Sequence, residues 1–419
     1  MPMMNKGKRM LVLVILSLIA GLVYLTPFLR FSFYDQMKEA LHFTDMQIGT
    51  IGAVYGVFNV ASYAPSGFLA ERFDTKKLLL ISCLGMCICT IWYSFYPGYP
   101  AMLVIHALYG IFSVGTFWSP YLKAVRSLGS EQEQGTIFGI SEGLRGLGQT
   151  AVAFLCLGVL GMFASSALGF RMLLWVNVAA FALLFLAVLF LVPGFGNPGE
   201  AEAEAGAGQK QGKGILYFLK NPSVWICIFV IMCGYTLWNT VNGYIGTYCT
   251  RILQIPMELS SVLSIVRSYV IVFIAGVTGG ILMDRFPSKG YGMMTAFALT
   301  CISGLGVIVT RNAIMLCVFI TIILSYMVNV IKSTYWSILG DGGIPPEETG
   351  MATGIISLIG LTPDIFVSPV ISGFITWGES RGNVEAGFNL MLAWLVIWSV
   401  LGVLASWFLK RKKAKTMAV

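Results

Sequence analysis

Charged side chains are scarce in this sequence of 419 residues. Only 11% of the residues are Asp, Glu, Lys or Arg, whereas 57% are hydrophobic and the mean hydropathy is +0.81. A water-soluble domain carries roughly 25% charged residues, because its surface must be solvated. The composition therefore excludes an ordinary soluble protein. It favours a chain whose outer surface faces lipid, since a bilayer accepts an apolar exterior.

Residues that bind metals or perform catalysis are also rare. The two histidines, His42 and His106, lie far apart, and none of the nine cysteines forms a Cys-x-x-Cys pair. No phosphate-binding loop of the Gly-x4-Gly-Lys-Ser/Thr type is present. We therefore predict that the chain is not an enzyme, with no catalytic residue, metal or cofactor. We interpret the cysteines as small hydrophobic side chains.

Long apolar runs occupy most of the chain, and twelve of them approach or exceed the roughly 20 residues that a helix needs to cross the hydrocarbon core. The predicted spans are residues 10–33, 46–70, 77–96, 100–124, 135–162, 170–193, 222–244, 258–283, 290–310, 313–339, 350–376 and 386–409. An even number of spans places both termini on the same side of the membrane.

Basic residues identify that side. If the N terminus lies inside, the inner segments hold 17 basic residues and the outer segments hold five. Cytoplasmic loops carry the excess of Lys and Arg in membrane proteins. We therefore predict a protein of the cell membrane, or inner membrane, with both termini cytoplasmic. The net charge of +8 then reflects topology and not nucleic-acid binding.

Two short sequence segments of the first half recur in similar form in the second half. Residues 67–73 read GFLAERF and residues 280–286 read GILMDRF; residues 116–119 read TFWS and residues 334–337 read TYWS. The offsets, 213 and 218 residues, are about half the chain. A repeat of this size in an apolar chain is typical of transporters built from two similar halves, with the substrate site between them.

A Gly-, Ala- and Glu-rich stretch at residues 194–214 separates the two halves. Such a composition is typical of a flexible linker. We predict an all-α membrane protein of twelve transmembrane helices in two pseudo-symmetric six-helix halves. The N-terminal half spans residues 1–193, the cytoplasmic linker residues 194–220 and the C-terminal half residues 221–419.

The repeated phrase resembles the signature loop of the major facilitator superfamily, which lies between spans two and three and recurs, more weakly, between spans eight and nine. The first copy departs from the pattern, with Glu71 for the usual Asp and Asp74 for the usual Gly, whereas the second copy keeps Asp284. The resemblance implies the twelve-helix fold of that superfamily. It also implies a conformational latch at the helix ends, formed by Gly67, Glu71, Arg72, Gly280, Asp284 and Arg285.

Within the superfamily the chain looks similar to the organophosphate and organic-anion branch. The similarity rests on Asn221, Trp225, Tyr235, Thr247 and Tyr248. That branch clamps phosphate with one arginine in span one and another in span seven. Arg30 lies within about a residue of the first position, but Trp238 occupies the second, and Arg145 stands where the branch uses a histidine. The usual two-arginine clamp is therefore not expected.

Ionisable residues inside spans are the main functional signal, because a charge at the bilayer centre costs at least about 2.5–3.5 kcal/mol. Arg145 lies near the middle of span five, and Glu142 is three residues earlier, so the two side chains can pair. Arg267 lies near the middle of span eight with no acidic residue within a turn. Each arginine is predicted either to bind an anionic group or, in the case of Arg145, to form a structural ion pair.

The remaining charges in spans have two interpretations each. Lys332 could bind substrate or be structural, and Arg30 could line a cavity or reach the headgroups. Asp364 follows Pro363 and is interpreted as a proton site or as a counter-ion to Arg267 or Lys332. His106 could couple protons or be a packed, hydrogen-bonded side chain.

The excess of cations in the spans predicts a cavity that attracts anions. The predicted substrate-binding residues are Arg30, Arg145, Arg267, Lys332, Trp118, Tyr235, Trp238 and Tyr335. The predicted proton-coupling or charge-pair residues are Glu142, Asp364 and His106.

These features predict a secondary transporter that moves a small organic anion, such as a carboxylate, sulfonate or phosphate ester, by alternating access. Protons or a counter-anion would couple transport, and one chain would suffice as a monomer. The alternative is a transporter of a neutral or amphipathic solute, such as a sugar, nucleoside or drug, in which the buried charges serve gating. A channel or receptor is a further class, which saturable flux in vesicles would separate from a carrier.

Overall fold

The computed structural model describes residues 5–129, 133–195, 220–343 and 349–417, and regular structure in these ranges is helical throughout. The chain divides into two compact units. Unit 1 comprises Met1–Phe43 and Thr50–Gly208, and unit 2 comprises Thr44–Gly49 and Gln209–Val419. Most of the predicted linker lies outside the described residues, so its role stays a prediction.

Among the described residues unit 1 contains eight α-helices, except that the first turn and a half of α3, up to Gly49, belongs to unit 2. Their bounds are α1 Lys6–Leu25, α2 Tyr34–Leu41, α3 Asp45–Arg72, α4 Thr75–Ser94, α5 Tyr99–Gly110, α6 Trp118–Arg126, α7 Gln134–Gly161 and α8 Ser166–Leu191. A 3₁₀ segment, Thr26–Phe31, extends α1, and a π segment, Ile111–Gly115, precedes α6. In this unit α1 lies along α7, and α4 lies along α8.

Unit 2 contains the remaining helices. Their bounds are α9 Pro222–Arg251, α10 Met257–Ile265, α11 Ile271–Arg285, α12 Lys289–Thr310, α13 Ile314–Thr334, α14 Thr349–Gly360, α15 Pro363–Ser380 and α16 Val384–Met417. A π segment, Val266–Val270, joins α10 to α11, and a 3₁₀ segment, Tyr335–Leu339, extends α13. Helix α12 packs on α13 and α16, and α9 packs on α16.

Eleven helical stretches of the described chain are long and apolar enough to cross a membrane. They correspond to eleven of the twelve predicted spans. The twelfth prediction, 46–70, coincides with α3, which has 28 residues but is not one of those eleven. The largest difference is at the end of span seven, which was predicted at residue 244. Helix α9 continues to Arg251 and so includes Thr247 and Tyr248.

Proline and capping side chains explain where several helices begin. Pro222 lies in the first turn of α9, where its missing N–H is not needed, and the Asn221 side chain accepts a hydrogen bond from the Ser223 amide. Asp74 caps α4 in the same way by accepting from the Lys76 amide. The residue that departs from the signature loop therefore has a local structural role.

Helices α15 and α16 approach closely through two glycines. A Cβ atom on Gly387 would lie 2.5 Å from the carbonyl oxygen of Phe374, and one on Gly378 would lie 2.7 Å from the Gly387 amide nitrogen. We expect Gly387→Ala to destabilise the protein by about 1–3 kcal/mol, because backbone atoms would have to move apart. Thermal unfolding in detergent measures the effect. Gly158→Ala is the control, since a Cβ there meets nothing within 4 Å; equal melting temperatures for both variants would contradict the prediction.

Candidate functional site

A buried carboxylate in unit 2 is held by two residues of α9. Asp364 is the second residue of α15, directly after Pro363. Its Oδ2 accepts a hydrogen bond from the Tyr235 hydroxyl at 2.9 Å, and its Oδ1 accepts one from Asn239 Nδ2 at 2.9 Å. Tyr235 and Asn239 are one helical turn apart, so a single face of α9 presents both donors. The first turn of a helix also stabilises a negative charge, because backbone N–H groups point toward it.

Next to this carboxylate two aromatic rings are stacked, and a lysine ammonium lies over one of them. The rings of Tyr235 and Trp238 are stacked, with centroids 5.4 Å apart and planes 10° apart. The Lys332 ammonium lies 4.3 Å from the centre of the Trp238 ring, and Trp238 Nε1 donates to Asn329 Oδ1 at 3.1 Å. Tyr235, Trp238 and Lys332 are all only partly buried. The arrangement offers a stacking surface, hydrogen-bonding groups and a positive charge together.

These polar residues follow the helical repeat. On α9, positions 235, 238, 239 and 242 share one face, and on α13, Asn329 and Lys332 are three residues apart. Asn242 continues the network, because its Oδ1 accepts from Ser268 in the π segment. We name the set formed by Tyr235, Trp238, Asn239, Asn329, Lys332 and Asp364 the α9–α13–α15 cluster.

Arg267 lies in the π segment and is buried, but its guanidinium points away from this cluster. It donates to Ser264 Oγ at 3.0 Å and to Thr321 Oγ1 at 3.3 Å, and it lies 3.7 Å from Cys249 Sγ. Thr321 is eight residues before Asn329, which is about 12 Å along α13. In the part of the chain that the structure describes, none of these partners is a carboxylate. The role of Arg267 as a substrate ligand stays a prediction.

In unit 1 Arg145 and Glu142 form the ion pair that their spacing of three residues allows. Arg145 Nη2 lies 2.6 Å from Glu142 Oε2, and the two side chains are 23% and 53% exposed. Helix α1 runs beside this position: a Cβ on Gly21 would lie 3.0 Å from the Arg145 carbonyl oxygen. The Tyr121 hydroxyl of α6 is 2.8 Å from Ser141 Oγ, one helical turn before Arg145 on α7.

The repeated Trp and Tyr positions have aromatic neighbours. Trp118 lies edge-on to Tyr24, with centroids 5.9 Å apart, and 6.0 Å from Tyr121. Trp118 is only partly buried, so part of its ring is accessible. Tyr335, in contrast, is buried and contacts Trp336 edge-on at 5.4 Å. Trp118 therefore lies near this part of α7, since its neighbour Tyr121 contacts Ser141.

Arg30 and His106 are both buried in unit 1. Arg30 is 3% exposed, and its guanidinium lies 4.8 Å from the centre of the Phe31 ring. Among the described residues, no hydrogen-bond acceptor contacts Arg30 Nη1. The His106 Nδ1 atom is 2.9 Å from the Met102 carbonyl oxygen, and its ring packs against Tyr93 and Tyr109. These are the contacts of a packed histidine, and proton coupling by His106 stays a prediction.

The two copies of the signature loop have different local contacts. In the first copy Glu71 and Arg72 are exposed, and the Arg72 guanidinium lies 4.1 Å from the centre of the Phe68 ring. The Lys123 ammonium donates to the Ala70 carbonyl at 3.0 Å, which favours the C-terminal end of α3.

In the second copy Asp284 forms an ion pair with Lys289, and Arg285 is exposed. A Cβ on either Gly67 or Gly280 would meet nothing within 4 Å. The latch role of both copies stays a prediction.

Unit 2 also contains an ion triad that was not predicted from the sequence. Arg251, at the end of α9, donates through Nη2 to Asp45 Oδ1 at 2.9 Å and through Nη1 to Asp45 Oδ2 at 3.0 Å. Arg251 Nη1 also donates to Glu379 Oε1 at 2.9 Å. Asp45 is 206 residues from Arg251 and Glu379 is 128 residues away, so no local spacing pattern indicates the contact.

Comparisons with known proteins agree with this architecture. The family model of the Major Facilitator Superfamily matches residues 16–363. Inner membrane protein YqcE of Escherichia coli (strain K12) is 26% identical over 424 aligned residues, covering 98% of this chain and 97% of the relative.

Among solved structures, a bacterial homologue of the human lysosomal transporter Spinster has a TM-score of 0.74 at 13% identity, covering 98% of both chains. A D-xylose-proton symporter has a TM-score of 0.74 at 15% identity, covering 94% of this chain and 96% of that one. At these identities the two structures show the fold alone.

A helical membrane protein with this many spans and a repeated signature loop is a multi-pass carrier in architecture. The family match covers well over half of the sequence, and the chain belongs to the Major Facilitator Superfamily of transporters.

Proposed function

We propose that this protein is a secondary transporter of a small organic anion, working by alternating access with coupling to protons or to a counter-anion. The observation that carries the proposal is the Lys332 ammonium, 4.3 Å from the ring centre of the partly exposed Trp238. A solute that stacks on the Tyr235–Trp238 pair would therefore lie close to the positively charged Lys332 ammonium. An anionic group on that solute would gain a charge-assisted contact.

Two further features support an anion. Arg145 is 23% exposed, so a second cation is accessible in unit 1. Arg30 is a buried guanidinium with an Nη1 that has no acceptor in the described part of the chain. Keeping such a cation in an apolar setting is costly unless an anion offsets it. We assign substrate contact to Lys332, Tyr235 and Trp238, and treat Arg145 and Arg30 as the candidate cations of unit 1.

The acids have a separate role in this proposal. Asp364 is the candidate proton carrier, because it is buried and accepts a hydrogen bond from Tyr235, whose ring stacks on the Trp238 ring that Lys332 contacts. Glu142 tunes Arg145 through the pair between them. The orientation follows the positive-inside rule, with both termini cytoplasmic. The signature loops at Glu71–Arg72 and Asp284–Arg285 act as latches between conformational states.

Lys332→Gln is expected to reduce anion binding and uptake by about tenfold or more, because a hydrogen bond to a charged group contributes about 1.5–3 kcal/mol. A thermal-shift screen against carboxylates, sulfonates, phosphate esters, sugars and nucleosides first identifies a ligand, since specific binding raises the melting temperature. The ligand is then titrated against the wild type, Lys332→Gln and Lys332→Arg. Recovery in Lys332→Arg is expected, because that variant keeps the charge.

The control for the aromatic surface is Trp238→Phe, which keeps a stacking ring but loses the hydrogen bond to Asn329. Unchanged anion binding in a folded Lys332→Gln protein would contradict the assignment of Lys332. A screen whose only hits are sugars or nucleosides would contradict the anion proposal as a whole.

A second candidate is a transporter of a neutral solute, favoured by the amide and hydroxyl groups of the same cluster. Asn239 and Tyr235 already satisfy Asp364, and Asn329 faces Trp238. Side-chain amides beside an aromatic ring suit a sugar or nucleoside, and the xylose symporter shares the fold. Under this proposal Lys332→Gln would leave the affinity for the neutral ligand nearly unchanged.

A further inference from the structure

Unit 1 contains a cavity at the N-terminal end of α1. It has a volume of about 320 Å³. The lining residues come from α1, α7 and the turn before α7: Lys6, Arg9, Met10, Leu13, Leu128, Glu133, Ile137 and Ile140. None of these residues belongs to the sites described above.

The cavity lies at the N-terminal ends of two parallel helices, α1 and α7. Further along the seam α1 and α7 are in contact: Ser17 Oγ is 2.7 Å from Ser141 Oγ, and Gln149 donates to the Gly21 carbonyl at 3.2 Å. Toward the N terminus, Arg9 bridges to Glu133 with Nη2 2.9 Å from Oε1. The ion pair is part of the cavity lining, and the packed seam begins one helical turn beyond the lining residue Leu13.

Its two ends differ in chemistry. At one end stand Lys6 and Arg9, with Glu133 as the only acid among the lining residues. Arg9 and Glu133 remain 37% and 45% exposed, so the guanidinium is accessible to another anion. At the other end the lining is aliphatic, and Met10 and Ile140 are exposed large hydrophobic residues.

The position of the cavity matches the boundary of a bilayer. The last charged residue of α1 before its apolar run is Arg9, and the apolar run begins at Met10. Cations at this depth lie at headgroup level, and the aliphatic side chains beyond them lie at the level of the acyl chains. Basic pockets between transmembrane helices at this boundary bind anionic lipid headgroups.

We propose that this cavity is a binding site for an anionic phospholipid. The phosphate contacts Lys6 and Arg9, and the start of an acyl chain lies along Met10, Leu13 and Ile140. Glu133 competes with the phosphate for Arg9, so the carboxylate limits the affinity. A free phosphate would use only the charged end and gain nothing from the five aliphatic side chains. The proposal is independent of the transported solute.

Because Glu133 competes with the phosphate for Arg9, substitutions of the two residues should change the affinity for phosphatidylglycerol in opposite directions. Native mass spectrometry of the purified full chain with phosphatidylglycerol, phosphatidylcholine or inorganic phosphate measures this binding. Arg9→Gln is expected to weaken phosphatidylglycerol binding about fivefold, since one basic residue near a lipid surface contributes about that factor. Glu133→Gln is expected to strengthen it, because Arg9 becomes free. Lys77→Gln, an exposed basic residue outside the cavity, is the control and should leave binding unchanged.

Three results would overturn the proposal. One is equal phosphatidylglycerol binding by the wild type and Arg9→Gln. Another is weaker binding by Glu133→Gln, which would mean that the ion pair merely holds the helices together. The third is displacement of phosphatidylglycerol by millimolar inorganic phosphate, which would indicate an anion site without a lipid. Melting temperatures of both variants, recorded without lipid, separate loss of binding from loss of folding.

Discussion

Arg251→Gln is expected to destabilise the protein by about 3 kcal/mol, the lower end of the range for breaking a buried ion pair. Asp45 has no solvent exposure, and Arg251, at 15%, makes two hydrogen bonds to it and one to Glu379. Glutamine cannot satisfy both carboxylates, so a charged Asp45 would be left buried without its guanidinium. The largest penalty therefore comes from the acid that remains and not from the contact that is lost.

Denaturant unfolding in detergent measures this loss. Arg311→Gln is the matched control, because Arg311 also pairs with an acid, Glu385, but the two side chains are 40% and 49% exposed. Exposed pairs contribute about 0–1 kcal/mol, so the control should change little. The double variant Asp45→Asn/Arg251→Gln should be less unstable than the two single losses added together. Equal stability of Arg251→Gln and Arg311→Gln would show that the triad is not a buried electrostatic contact.

The sequence predicted the helices well, because hydropathy and length alone determine which segments cross a bilayer. Eleven predicted spans coincide with helices that meet both conditions. The end of α9 was missed because Thr247, Tyr248 and Arg251 interrupt the apolar pattern. In the structure α9 nevertheless continues, since Thr247 and Tyr248 are buried in unit 2 and Arg251 has acids to bind.

Site residues were predictable when their partners are close in sequence. The pair of Glu142 and Arg145 follows from a spacing of three residues on one helix. The triad could not be predicted, because its members come from three helices and are brought together only by packing. The direction of Arg267 was also beyond the sequence. Depth in a span is readable from residue number, but a long side chain follows available acceptors, here Ser264 and Thr321.

Asp364→Asn is expected to abolish accumulation driven by a proton gradient while leaving the protein folded. Asparagine has the same shape as aspartate, and the Tyr235 hydroxyl can accept as well as donate a hydrogen bond. The contacts with Tyr235 and Asn239 can therefore be kept. The variant loses the negative charge and the capacity to take up a proton at this position.

The size of the effect follows from the gradient. One pH unit corresponds to about 1.36 kcal/mol, or a factor of ten. A carrier that moves one proton with each monovalent anion can thus accumulate its substrate about 100-fold across a gradient of two pH units. Proteoliposomes with Asp364→Asn should only equilibrate the substrate, whereas exchange of labelled for unlabelled substrate without a gradient should continue.

Glu142→Gln is the matched control, because it removes an acid of unit 1 that is 53% exposed and paired locally with Arg145. A buried carboxylate that is the proton carrier predicts a loss of accumulation in Asp364→Asn alone. Full accumulation by Asp364→Asn would assign Asp364 to structure and leave the coupling to Glu142 or to a counter-anion. Loss of both accumulation and exchange, with an unchanged melting temperature, would instead make Asp364 part of the substrate contact through Tyr235 and Lys332. The charge on residue 364, and not its hydrogen bonds, is therefore the variable that distinguishes proton coupling from binding in this transporter.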